Sequence, residues 1–134
     1  MSIDEHKKLA SEFFARVSAS DVAGALELLT SDVDWWLAGK PMLLPVGGVH
    51  NQEGIARILN GMIRQLKNGL KLTVKVAVAE DDKVALEVES HGELRNGRIY
   101  NNEHCIWMTI RDGKISSVRE YYDTQHTFAT WFQP

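Results

Sequence analysis

From Leu70 onward the chain alternates. Leu72, Val74, Val76 and Val78 alternate with Thr73, Lys75 and Ala77, then Val84, Leu86 and Val88 alternate with Ala85, Glu87 and Glu89. A period of two sorts side chains onto the two faces of a strand, so the pattern predicts two strands joined by a turn at Glu80-Asp81-Asp82. Two hairpin signals follow, Asn96-Gly97 and Asp112-Gly113. Each pair readily takes the positive φ angles of a type I′ turn, which predicts one long strand between them and another after.

Before Leu70 the period is helical. Leu9, Phe13 and Val17, with Ala10 and Phe14 beside them, make a stripe from about Asp4 to Ala19. Ser20-Asp21 supplies an N-cap and a first-turn acid for a short second helix through Leu29, with Val22, Ala25, Leu26 and Leu29 inward. Val33 to Leu37 reads as a strand and Ala38 to His50, rich in glycine and proline, as a loop. Asn51 caps a third helix that shows Ile55, Ile58, Leu59, Met62 and Leu66 on one face, and Gly69 stops it. Thr124 or Asp123 caps a short aromatic tail holding Phe128, Trp131 and Phe132. Helices first and an antiparallel meander afterwards make an α+β fold, one curved sheet with helices in its concave side.

Size and composition narrow the function classes. At 134 residues, 44% apolar and 25% charged, the chain suits a single globular domain over residues 1–134. Its net charge of −3 and 15 scattered basic residues offer no nucleic-acid face. No apolar run is long enough to span a bilayer, and the charged N-terminus lacks a secretory apolar region. The lone Cys105 cannot form an internal disulfide and fits a reducing cytoplasm. No His-Glu-x-x-His or cysteine pair suggests zinc, and Gly47-Gly48 matches no phosphate-cradling motif. No cofactor or metal is expected.

The wording of the last third, YNNE followed by RDGKI and REYYDT, resembles the SnoaL-like branch of the nuclear transport factor 2-like superfamily. SDVDWWLAG after the second helix and GGVHNQEGI entering the third are similar to that branch too. The resemblance covers nearly the whole chain. It implies a cone: a curved antiparallel sheet wrapped around three N-terminal helices, with a pocket between sheet and helices. It also implies a homodimer paired through the outer sheet, and two-faced apolar strands such as Cys105 to Ile110 ask for such a cover.

The last hairpin carries the candidate chemistry. Regular pairing around Asp112-Gly113 opposes Ile110 to Ile115 and Cys105 to Glu120. One face then collects Asn101, Glu103, Cys105 and Trp107 with Val118, Glu120 and Tyr122. The other collects Tyr100, Asn102, His104, Ile106 and Met108 with Ser117, Arg119 and Tyr121. Both are partly apolar, so either can face inward, and a bulge would exchange the sets.

The resemblance weighs three reactions. Epoxide hydrolases of this superfamily match at Glu120, but their arginine-acid pair falls on Glu87 and Glu89, so the arginine is absent. Ketosteroid isomerases need a phenol where Phe13 or Phe14 stands and a carboxylate where Trp36 or Leu37 stands. SnoaL-type polyketide cyclases need one acid/base in an apolar pocket. Glu120, Asp123 or Glu103 can fill that role. Trp35, Trp36 and Trp107 would wall the pocket, with Glu87, Cys105, Val118 and Tyr122 around a small apolar or aromatic ligand. The leading expectation is therefore a small cofactor-independent enzyme of cyclase, isomerase or hydrolase type. The alternative is a non-catalytic ligand-binding or protein-interaction module. His104 reads as a hydrogen-bonded strand residue and Asp123 as a helix cap.

Overall fold

The computed structural model describes residues 1–134 as four helices and a six-stranded sheet. In chain order these are α1 (Ile3–Ser18), α2 (Val22–Leu26), β1 (Leu29–Leu37), β2 (Gly48–His50) and α3 (Gln52–Gln65). Then come β3 (Lys71–Glu80), β4 (Lys83–Glu93), β5 (Ile99–Arg111), β6 (Lys114–Tyr122) and α4 (Thr124–Trp131). The sheet order is β2-β1-β6-β5-β4-β3. Only the β1–β6 pair is parallel. This is the expected α+β cone, a curved and mostly antiparallel sheet with helices packed against one side.

Local chemistry sets the helix ends. Ser2 and Glu5 form a reciprocal capping box on α1, whose Ala10, Phe13, Phe14 and Val17 are buried. Asp21 caps α2 through the amide of Gly24, and Asn51 caps α3 through that of Gly54. The second helix is shorter than expected: it ends at Leu26, and Leu29 already begins β1. The Ala38–His50 loop also ends in a short strand, β2, paired to Trp35, Trp36 and Leu37. Asp112 (φ 52°) and Gly113 (φ 75°) both take the left-handed region that a type I′ turn requires. The Asn96-Gly97 turn differs. The Leu94 carbonyl accepts from the Gly97 amide at 2.9 Å, and only Gly97 has positive φ, at 91°. That is a type I turn closed by a glycine bulge.

Two bulges reassign faces. In β3 the register slips between Val74 and Val76, so Leu72, Val74, Ala77 and Ala79 turn inward while Val76 and Val78 are exposed. In the last hairpin it slips between Thr109 and Ile110, and Ile115 and Ser116 are both buried. Cys105 therefore opposes Tyr121, and Ile106 opposes Glu120. The inner face of this hairpin is Tyr100, Asn102, His104, Ile106 and Met108 with Val118, Glu120 and Tyr122. It mixes the two sets that regular pairing had kept apart.

The main core joins Phe13, Phe14 and Val17 of α1 to Trp35, Leu86, Val88, Ile106, Met108 and Val118 of the sheet. A smaller cluster of Leu66, Leu70, Leu94 and Tyr100 sits at the far end, with Trp131 against it. Gly92 belongs to this end: a Cβ there would meet Leu66 Cδ2 at 2.9 Å, so glycine lets the Leu66–Leu94 bridge close over β4. No helix is long and apolar enough to cross a membrane.

Candidate active site

Between the sheet and the helices lies a cavity of about 270 Å³ with predominantly apolar walls. α1 supplies Phe13, Phe14 and Val17, and α3 supplies Ile55, Ile58, Leu59 and Met62. The C-terminal segment closes one end with Thr127, Trp131 and Phe132. Arg57 and Gln65 are the exposed lining residues, which puts the opening beside α3.

Polar atoms on the sheet wall are concentrated around one carboxylate. Glu120 Oε1 accepts from the Trp35 indole Nε1–H at 2.9 Å, and Oε2 lies 2.7 Å from His104 Nδ1. The Glu120 and His104 side chains are 12% and 9% exposed, so the pair is largely shielded from bulk water. An ionised carboxylate only accepts, so Nδ1 carries the hydrogen of this contact. His104 Nε2 then faces Ser90 Oγ at 2.9 Å. Against a neutral imidazole the Ser90 hydroxyl donates to Nε2. Against an imidazolium it accepts, and turns its own hydrogen to the Asn102 carbonyl 3.5 Å away. The rotating hydroxyl can donate to or accept from Nε2, so neither tautomeric role leaves a buried polar atom without a partner.

A buried phenol, Tyr100, and a half-buried one, Tyr122, flank the pair. Burial, and then the Glu120 charge, raises the Tyr122 pKa above the ordinary tyrosine value. Its hydroxyl donates to the Ala38 carbonyl at 2.7 Å. The Tyr100 pKa is raised mainly by burial. Its hydroxyl is 3.1 Å from Thr127 Oγ1 and receives Asn102 Nδ2 at 3.1 Å. Asn102 also reaches the Asp123 carbonyl at 3.1 Å, which ties α4 to β5. At neutral pH both phenols are protonated.

The sequence candidates separate by face. Trp35, Glu120 and Tyr122 line the cavity, and Val118 is buried in the core beside it. Glu103, Cys105, Trp107 and Glu87 point to the outer face and do not line it. Glu103 instead meets Lys75 Nζ at 3.1 Å, and Trp107 is 48% exposed. The cause is the bulge at Ser116, which turned Glu120 away from Glu103 and Cys105. Trp36 is outside as well, its ring under the Arg119 guanidinium at 4.1 Å and against Tyr121. Adjacent residues on a strand face opposite ways, so only one of the two tryptophans can enter the cavity. Asp123 is exposed and caps α4, accepting from the His126 amide at 3.1 Å. The sequence reading missed His104, Ser90 and Asn102 as members of the site. The signal was present for two of them: Asn102 and His104 share a face of β5 with Ile106 and Met108, which belong in a core.

The family of SnoaL-like domains matches residues 10–118 of the chain. No protein of curated function matches it. Among solved structures, an NTF2-like protein from Burkholderia xenovorans LB400 is 23% identical with a TM-score of 0.75, covering 97% of this chain and 98% of that one. An NTF2-like protein from Burkholderia pseudomallei K96243 is 15% identical with a TM-score of 0.82, over 99% and 100% of the two chains. TerC, co-crystallised with polyporic acid, is 20% identical with a TM-score of 0.80, over 94% and 97%. At such identities these structures establish the fold.

Proposed function

This chain belongs to the SnoaL-like family, and on that premise we propose that it is an enzyme moving a proton on an apolar, carbonyl-bearing ring compound, by general acid/base catalysis with Glu120. One observation carries the reading: the Glu120–His104 pair at 2.7 Å, set in the wall of an otherwise apolar cavity. Glu120 touches the ligand and takes the proton. His104 and Trp35 orient its two oxygens, and Ser90 holds the His104 ring. A carboxylate so fixed needs little rearrangement when a bound C–H or O–H is presented to it. The apolar walls keep water from competing, and Tyr122 and Tyr100 remain neutral beside it. The co-crystal of TerC with polyporic acid supports a small organic ligand.

A second reading rests on the same pair. Both Glu120 oxygens already have protein partners, as a purely structural acid would. On that reading the cavity binds a ligand without converting it. Solvent deuterium exchange into 2-tetralone, followed by NMR, separates the two. The enzyme reading expects saturable acceleration of exchange at the carbon beside the carbonyl. Quenching of tryptophan emission by the ketone, with exchange at the solution rate, would favour the binding module.

Two further expectations belong here. The outer sheet face exposes Val76, Val78, Trp107 and Tyr121, which supports a homodimer through that face. Light scattering should give twice the 15.1 kDa chain mass, and the single-chain mass at micromolar concentration would refute it. The exposed free thiol of Cys105 suits a reducing compartment, and we take the cytoplasm as the location.

A further inference from the structure

The lining of the cavity holds a single permanent cation. Arg57 stands exposed at the opening beside α3, on the rim of predominantly apolar walls. Most other arginines are committed to the protein. Arg16 and Arg111 pair with Glu12 and Asp32, and Arg119 lies over the Trp36 ring. Arg95 donates to the Arg64 carbonyl, and Arg98 to carbonyls at the end of α4. The Arg57 guanidinium has no such partner, and Glu53, one turn earlier on α3, makes no ion pair with it.

A second guanidinium stands near it. Arg57, Gly61 and Arg64 follow helical spacing, so they share one face of α3. Gly61 also lines the cavity, and a Cβ there would meet Arg64 Nη2 at 3.8 Å. Arg64 is exposed, and its guanidinium likewise has no acidic partner. At Gly61 the rim is therefore bare backbone with an unpaired guanidinium on either side along the helix.

We propose that Arg57, aided by the charge of Arg64, binds a carboxylate of the ligand at this mouth, which makes the substrate class an apolar ring acid. A guanidinium presents paired N–H donors that match the two oxygens of a carboxylate. The interior rejects an anion, because its walls are predominantly apolar and Glu120 already brings a carboxylate to them. Burying the ligand's charge there would strip its hydration with no cation in return. The charge therefore stays at the wet rim while the rings fill the space behind it. The anionic end is held outward at Arg57, and the uncharged end is turned toward Glu120. The anchor rests on the cavity being a ligand site, and the orientation of a reacting C–H rests on the acid/base role of Glu120.

The test compares naphthalene-2-carboxylate with naphthalene-2-carboxamide, near-isosteres that differ by one negative charge. Calorimetry at neutral pH and low ionic strength gives their affinities for the wild type, Arg57→Gln, Arg57→Lys and Lys114→Gln. Lys114 is exposed at the start of β6 and does not line the cavity, so its substitution removes the same charge elsewhere. The wild type should prefer the carboxylate. Arg57→Gln should lower the carboxylate-to-amide affinity ratio at least about five-fold. Arg57→Lys should keep most of the ratio, and Lys114→Gln should leave it unchanged. No preference for the carboxylate in the wild type, or an unchanged ratio in Arg57→Gln, overturns the inference. A fall of equal size in Lys114→Gln assigns the preference to net charge and overturns it as well. Neither probe carries an acidic C–H, so the ratio does not depend on Glu120 as a base. A ratio that falls in Arg57→Gln while no exchange into 2-tetralone is ever catalysed leaves the anchor standing and the acid/base reading failed. Exchange that Glu120→Gln removes, with the ratio unchanged in Arg57→Gln, means that the anchor alone has failed.

Discussion

The two faces of β5 share one backbone and differ in almost everything else. Inward, Tyr100, Asn102 and His104 give way to Ile106, Met108 and Ile110, so polar groups gather at one end of the cavity and core packing at the other. Outward, Asn101, Glu103, Cys105 and Trp107 meet solvent, Lys75 or other strands' exposed side chains. An acid on the outer face is screened and free to find a lysine. Glu120 on the inner face must be satisfied by protein donors, and it has two. One extra residue, Ser116, decides which acid occupies which environment.

Removing that residue is the severest way to break the contrast. Deleting Ser116 restores regular pairing and turns Val118, Glu120 and Tyr122 to the outside. Exposing Val118 and emptying its place should remove more than about 4 kcal/mol, enough that circular dichroism shows no cooperative melt. A folded deletion variant would mean that the bulge does not set the inner face.

Paired truncations give the next largest difference. Ile106→Ala, at 1% exposure in the main core, should cost about 2–5 kcal/mol in urea unfolding. Its outer neighbour Trp107→Ala should cost the single chain below about 1 kcal/mol. Its effect should fall on assembly, as a lower mass in light scattering.

Alkaline stability should show the smallest effect. Burial raises the Tyr100 and Tyr122 pKa values above the ordinary value. A group whose folded pKa is raised contributes full stability below its unfolded pKa and loses that contribution as pH rises toward the folded one. The denaturation midpoint should therefore hold through neutral pH and decline above about pH 10. Tyr122→Phe should flatten the decline, and an equally steep fall in that variant would refute this cause.

Much of the fold was legible because period and caps are local signals. Asn51 and Asp21 cap the helices they were expected to cap or adjoin, and the change of period at Leu70 marks where helices end and the meander begins. Bulges are set by tertiary packing and read poorly from alternation. In β3 the branched Val76 and Val78 lie outside while Ala77 and Ala79 pack against the main core, because the register slip between Val74 and Val76 exchanges the two faces. In β6 the clue was Ile115 and Val118, two buried apolar residues three apart, a spacing no regular strand can bury on one face. Of the candidate acids, Glu120 reaches the cavity while Glu103 and Glu87 stay outside for the same reason. His104 was visible as a strand residue, but its partner depended on a register that alternation alone left open.

On the proposed reading the inner acid moves protons on a bound ligand and the outer acid does not. Deuterium exchange into 2-tetralone, measured with wild type, Glu120→Gln and Glu103→Gln at matched melting temperatures, tests it directly. Glutamine in place of Glu120 keeps its size and can still accept a hydrogen bond while removing the base. Exchange should fall to the solution rate in Glu120→Gln and persist in Glu103→Gln, a loss of at least about 100-fold. Exchange that survives in Glu120→Gln would show that Glu120 is not the base.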